Sequence, residues 1–331
     1  TPHQYKHQPS MGVLCLLSPA KSMSYPAETK VTAVDVASLR FGQKTAQLVA
    51  ALGELSVAAT GKLLGVSAAL ASGARDGHLA LAAGKAAVRE AALAYAGTAY
   101  VALKASELDM EALDAKLRII SGLYGLVTPS DEIGFYRLCM GTRLKGKLEV
   151  GVDSLYEFWG DDLGKAVVSD AEATGDEPPI VVNVASDEYY KAVAAEIAQA
   201  ADDKRIVVVN VKFETAGRSS GVYSKAGRGA FVRHVVQSAA ATMDDLKAFA
   251  LDGYTYSAAK SKVASKGHAH TLVFTRTKAP PTAAQRKAAE RKAAKAAAAT
   301  KTSGKTTGKR KRKPAPSESE LNQGKRKLRK R

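Results

Sequence analysis

Short apolar runs, each about a strand long and stopped by small polar residues, most limit what this chain can fold into. Gly12–Leu17 halts at Ser18-Pro19, and Ile180–Val184 halts at Ala185-Ser186. Arg205–Val211 leads into a Gly/Ser-rich turn at Gly217–Gly221, and Thr271–Arg276 is a last run of the same kind. Such runs read as buried strands feeding loops. Between them lies helical spacing. From Ser38 to about Gly97 apolar residues recur as Leu48, Leu52, Leu55 and then Leu63, Val66, Leu70, punctuated by Gly53, Gly61, Gly73 and Gly84. This predicts three or four alanine-rich, close-packing helices. A further helix is expected over Met110–Lys116, and another from Ser186, a good N-cap, to about Ala201. Interleaved strands and helices give an α/β (mixed α+β) class, a mixed sheet surrounded by helices in one large domain.

The most irregular stretch is Leu117–Leu144. Its opening run, Leu117–Ile120, is compatible with a buried strand or with the last turn of a helix. Gly122 and Gly125 then enclose Leu123 and Tyr124, a Pro-Ser-Asp turn follows at Pro129–Asp131, and Tyr136, Arg137 and Arg143 close the segment. Glycines among Ser, Tyr and Arg suit backbone held against a bound group; a core strand and turn is the plainer alternative.

The net charge of +17 invites a nucleic-acid reading of the whole chain, but the excess is local. Residues 278–331 hold 19 Lys/Arg and three Asp/Glu, which leaves 30 basic and 29 acidic residues in the first 277. Within that body the charge is segregated. Lys204–Arg233 carries seven basic residues against Glu214, and Asp153–Glu188 carries ten acidic ones against Lys165. A nearly neutral body can still present one positive face. Residues 1–10 read as an unstructured extension, 11–277 as the folded domain, and 278–331 as a basic low-complexity tail. KRKRK at Lys309–Lys313 and KRKLRKR at Lys325–Arg331 fit a nuclear-localisation signal, a nucleic-acid tether or a solubilising tail equally. TSGKTTGK lacks the P-loop's first glycine, since position 299 is Ala299. No run of 18 apolar residues is present. Cys15 and Cys139, far apart, fit a reducing compartment rather than a disulfide framework.

Several motifs occur together in order: LLSPAK at Leu16–Lys21, LRIISGLYGLVTPSD at Leu117–Asp131, FYRLCMGTRL at Phe135–Leu144, LYEFWG at Leu155–Gly160, NVASDEYYKAV at Asn183–Val193 and AGRG at Ala226–Gly229. From about Gly12 to Arg276 the chain resembles the YaaA family of bacterial peroxide-stress-resistance proteins. The resemblance implies an α/β body of unusual topology with a positively charged cleft. It also implies DNA association through an element resembling a helix-hairpin-helix, and protection against peroxide by limiting free iron. Two departures matter. Where the family reads AKKARG this chain has SKAGRG, which keeps Lys225 and Arg228 but loses a lysine. Where it reads PYRLEMG this chain has FYRLCMG, so no role of that Glu passes to Cys139.

Two constellations are candidates for chemistry. Ser18 and Lys21, Ser121 and Tyr124, and Asn183 and Ser186 follow three strand ends, and Tyr136 joins them. In open α/β sheets ligands bind beyond such ends, and the set suits a small phosphorylated or carboxylated molecule. Taken singly, each is as readily a cap, a turn or a solvated side chain. Arg137, Arg143, Lys225, Arg228 and Arg233 are the candidate DNA contacts, with Gly227 and Gly229 loosening a basic loop before a helix expected to begin near Gly229. The resulting expectation is a DNA-binding peroxide-stress protein without sequence preference, with an enzyme acting on a small anion as the alternative. No motif asks for a cofactor or a metal: His268 and His270 form an i, i+2 pair without a nearby Cys, and no HExxH, CxxC or EF-hand spacing occurs. The expected location is cytoplasmic, with nuclear entry through the tail as the extension of that reading.

Overall fold

The computed structural model describes residues 12–27, 29, 36–175, 178–219, 221–262 and 269–278. The expected N-terminal extension, the basic tail beyond residue 278 and His268 lie outside the described residues. Among the described residues nine strands form: β1 Val13–Leu17, β2 Val88–Glu90, β3 Leu117–Ser121, β4 Gly125–Val127, β5 Glu132–Gly134, β6 Ile180–Asn183, β7 Val207–Thr215, β8 Thr255–Tyr256 and β9 His270–Arg276. Seven of them make one sheet in the order β4-β3-β1-β6-β7-β9-β8, while β2 and β5 pair separately. The inner five strands are parallel, and β4 and β8 run antiparallel at the two edges. The fold is α/β with a mixed sheet.

β1 lies between β3 and β6, with Cys15 opposite Leu117 on one side and Val182 on the other. All five of its residues are buried, as expected of a parallel strand covered on both faces. Burial pushes the Cys15 thiol up to about 12. The helix Met110–Lys116 runs directly into β3, so Leu117–Ile120 is the strand of the two readings. Gly125, at φ +73°, reverses the chain into β4, and Gly122 packs on the Leu138 carbonyl. The two glycines that read as backbone for a ligand therefore serve a core hairpin. Trp159, fully buried, donates its indole N–H to the Gly122 carbonyl at 3.3 Å.

The alanine-rich segment forms the helices Gly42–Gly53, Val57–Leu64 and Ala68–Ala82. Gly61 and Gly73 lie inside helices; the break falls instead at Gly65, whose φ of +63° closes Val57–Leu64. The two helices around it are bent by 105°. No single helix among the described residues is long and apolar enough to cross a membrane. The helix expected from Ser186 to Ala201 is broken into Asp187–Tyr190 and Ala194–Asp202. The basic helix starts earlier than expected, running Gly221–Gln237. SKAGRG is thus helix interior rather than a loosened loop. Its glycines admit neighbours: a Cβ on Gly227 would collide with the Phe213 ring, and one on Gly229 with the Ala99 backbone.

Candidate functional site

β1 and β6 stop in register, Leu16 opposite Asn183, so the chain leaving each strand meets its neighbour. The Ser186 amide donates to Ser18 Oγ at 2.8 Å, and the two hydroxyl oxygens lie 3.2 Å apart. Ser186 occupies an N-cap position, but its side chain caps nothing; it belongs to this serine pair. Tyr100, on the helix Thr98–Leu103, donates its hydroxyl to the Ser18 carbonyl at 3.0 Å. That bond ties the Ser18–Lys21 turn to a helix that itself packs on Gly221–Gln237 through Gly229. Lys225 and Arg228, three residues apart, share a face of the latter helix.

The result is a hollow of about 420 Å³ at the carboxyl edge of the sheet, lined by Ser18, Lys21, Ser186, Glu188, Lys225 and Arg228 among others. Two groups of residues that sequence spacing kept separate meet here, the serines and lysine of the strand ends and the cations of SKAGRG. Lys21 and Lys225 are exposed at the rim, while Arg228 is half-buried. None of the three forms an ion pair with a described residue, whereas Arg40, Lys44, Arg118, Arg205, Arg233 and Lys260 each do. Burial lowers the Arg228 pKa from its usual value, and Asp187 nearby opposes the shift. A half-buried guanidinium without a contacting carboxylate is a desolvated charge that an anion would stabilise. Glu188, the carboxylate on the hollow, is engaged: its Oε1 accepts the Gly141 N–H at 2.9 Å.

Arg228 is also a wall of a second hollow, of about 500 Å³, lined by Asn183, Asp187, Tyr190, Asn210 and Thr271 among others. Asn183 thus faces this neighbouring space rather than the first. Its Oδ1 accepts the Ala185 N–H at 3.0 Å and its Nδ2 donates to Asn210 Oδ1 at 2.9 Å. Burial pushes the Tyr190 phenol up to about 12, so it stays a neutral donor.

Ser121, Tyr124 and Tyr136 line neither hollow. They sit in the core, where Tyr136 hydroxyl lies 2.8 Å from both Tyr95 hydroxyl and Ser121 Oγ. Ser121 Oγ also accepts the Leu123 and Tyr124 amides, and Tyr124 donates to the Gly134 carbonyl at 3.1 Å. Arg137 and Arg143 line neither hollow; the Arg137 amide donates to His78 Nε2 at 3.4 Å. Arg233 pairs with Glu107 at 2.8 Å. Among the described residues no three His, Cys, Asp or Glu side chains are grouped to hold a metal. Asn210 and Tyr100 escaped the sequence reading. A lone Asn inside VVVNV was a legible signal for the first; an alanine-rich surrounding offered none for the second.

The family model for the peroxide stress protein YaaA matches residues 13–260. A UPF0246 protein of Caulobacter vibrioides is 34% identical over 249 residues, 74% of this chain and 93% of its own length. One of Ruegeria pomeroyi is 36% identical over 254 residues, 74% and 94% of the two chains, and one of Hahella chejuensis 33% over 260 residues, 75% and 96%. These relatives are bacterial and lend no support to the nuclear reading of the basic tail. Matched in this way over about three-quarters of its length, the chain belongs to the family of the peroxide stress protein YaaA, with a general role in peroxide stress.

Proposed function

We propose that the protein meets peroxide stress by binding DNA through its phosphates, without sequence preference, and so limits iron-dependent damage. The observation that carries this reading is the convergence of Lys21, Lys225 and Arg228, all without ion pairs among the described residues, on one hollow. Lysine offers phosphate a compact charge and arginine a planar fork, and neither selects a base. A second support is the 105° helix pair around Gly65, with Gly65 and Ser67 exposed at its turn, a shape in keeping with the hairpin element that the family resemblance implies. Shielded DNA, or less Fe(II) beside it, means fewer hydroxyl radicals formed at the backbone. The basic tail adds sequence-independent attraction.

Phosphate binding of this kind weakens steeply with salt. The test is a salt titration of duplex affinity on a chain ending at residue 278, with and without Fe(II). A linear fall of log affinity with log salt is expected; an affinity flat from low to moderate salt ends the reading.

The concavity of the first hollow favours a second reading, an enzyme acting on a small phosphorylated or carboxylated molecule. Lys21→Ala separates the two, since it weakens duplex binding under the first reading and leaves it unchanged under the second.

A further inference from the structure

We propose that the two hollows on either side of Arg228 form one site for a nucleoside phosphate, the phosphate in the first and the nucleoside in the second. This rests on the reading that the cations of the first hollow accept phosphate. Arg228 lines both spaces, so a ligand held by its guanidinium has room on each side. At about 420 and 500 Å³ the two volumes each fall in the size range of small-molecule sites.

Their linings differ in kind. Lys21, Lys225 and the serine pair surround the first, whereas amides, a phenol and hydroxyls line the second. The backbone determines which way the amides point. Ala185 N–H occupies Asn183 Oδ1, so Asn183 must donate through Nδ2, and Asn210 must answer with Oδ1. Asn210 Nδ2 is then left with both hydrogens, and no described residue accepts them. Asn183 and Asn210 are register partners on β6 and β7, so this donor is rigidly placed. The half-buried Tyr190 adds a ring face and a hydroxyl without a partner among the described residues. Amide N–H groups and an aromatic ring suit a base or sugar oxygen. Asp187, which also lines the second hollow, suits sugar hydroxyls, as an acidic residue does in dinucleotide sites, and repels a second phosphate. Glu214 there is already taken by Lys260 at 2.5 Å, while Lys212 is exposed. Charge thus runs from net positive in the first hollow, where Lys21, Lys225 and Arg228 face Glu188, to balanced in the second, where Lys212 and Arg228 face Asp187 and Glu214. A phosphate at one end of a neutral, hydroxylated body matches that layout.

The test is isothermal titration of the full chain with AMP, inorganic phosphate and adenosine. AMP is expected to bind at least about ten-fold tighter than either fragment, and Arg228→Gln to weaken AMP and phosphate alike. Asn210→Ser and, separately, Tyr190→Phe are expected to weaken AMP several-fold while leaving phosphate unchanged; the second lies on a helix and removes only a hydroxyl without a partner among the described residues, so a folding defect in the first does not blur the result. AMP binding no tighter than phosphate, or indifferent to both of these variants, overturns the nucleoside assignment while the phosphate reading stands. Phosphate and duplex binding both indifferent to Arg228→Gln overturns the reading beneath it. Competition by an oligonucleotide carrying a 5′-phosphate, but not by its 5′-hydroxyl form, assigns the ligand to a DNA end; competition by neither assigns it to a free nucleotide. Either source keeps the site.

Discussion

Gly229 lies against the carbonyl of Ala99 so closely that no Cβ fits between them. Through this contact the helix bearing Lys225 and Arg228 rests on the helix whose Tyr100 holds the Ser18 turn. A mid-helix glycine ordinarily costs about 0.5–1 kcal/mol relative to alanine, so Gly→Ala normally stabilises. Here the clash outweighs propensity, and Gly229→Ala is expected to destabilise by about 1–3 kcal/mol and to weaken anion binding with it. Gly73, also helical but with open space where an alanine methyl would stand, is the control. Gly73→Ala should stabilise by about 0.5–1 kcal/mol. Denaturant midpoints of both variants check the pair.

Charge removal should separate the open cations from the paired one. Lys225→Gln and Arg228→Gln should each lower the slope of log affinity against log salt by about one for duplex DNA. Arg233→Gln should leave that slope unchanged, because its guanidinium is already engaged by Glu107. The salt titrations are run on chains ending at residue 278, so that the tail's own charges do not mask the difference.

His78 is fully buried, accepts the Arg137 N–H through Nε2, and has a pKa pushed down to about 4 by burial. Between pH 6.5 and 4 the unfolded chain therefore binds a proton that the folded one refuses. Stability from this residue is complete above pH 6.5 and declines as pH falls toward 4, by an amount on the order of 3 kcal/mol. His78→Gln keeps an acceptor but removes the titration. The loss of urea stability from pH 7 to pH 4.5 should be smaller in the variant than in the parent.

The Tyr95–Tyr136–Ser121 hydroxyl chain is buried end to end. Tyr136→Phe leaves the Tyr95 hydroxyl without its partner and should cost about 1–3 kcal/mol. Adding Tyr95→Phe removes the orphan as well, so the double variant should lose less than the sum of the single ones. A thermal-unfolding double-mutant cycle reads the coupling.

The features that reach across the sheet were legible in part, and the limits have physical causes. Ser18 and Ser186 stood out because each ends an apolar run, and parallel register then brought them together. Lys225 and Arg228 stood out by charge, but their glycines read as loop residues, because sequence spacing does not show that Ala99 and Phe213 lie against them. Ser121, Tyr124 and Tyr136 carry hydroxyls that look functional in one dimension; in the fold they satisfy one another and the hairpin backbone. Arg233 resembled its neighbours until Glu107, more than a hundred residues earlier, arrived beside it. The strands β1, β6, β7 and β9 and the α/β class followed from the apolar runs, while β2, β4, β5 and β8, two or three residues long, are too brief for a pattern to mark.

Cys15 sits in β1 with no exposure, and its thiol remains protonated far above neutral pH. Oxidants attack the thiolate, and at pH 7 roughly one such group in 10⁵ is ionised at a pKa five units higher. Hydrogen peroxide thus finds no thiolate at the centre of the sheet, and of the two thiols only the half-buried Cys139 is open to it. The scaffold that holds Ser18 and Ser186 together can outlast the chemical assault its family is named for.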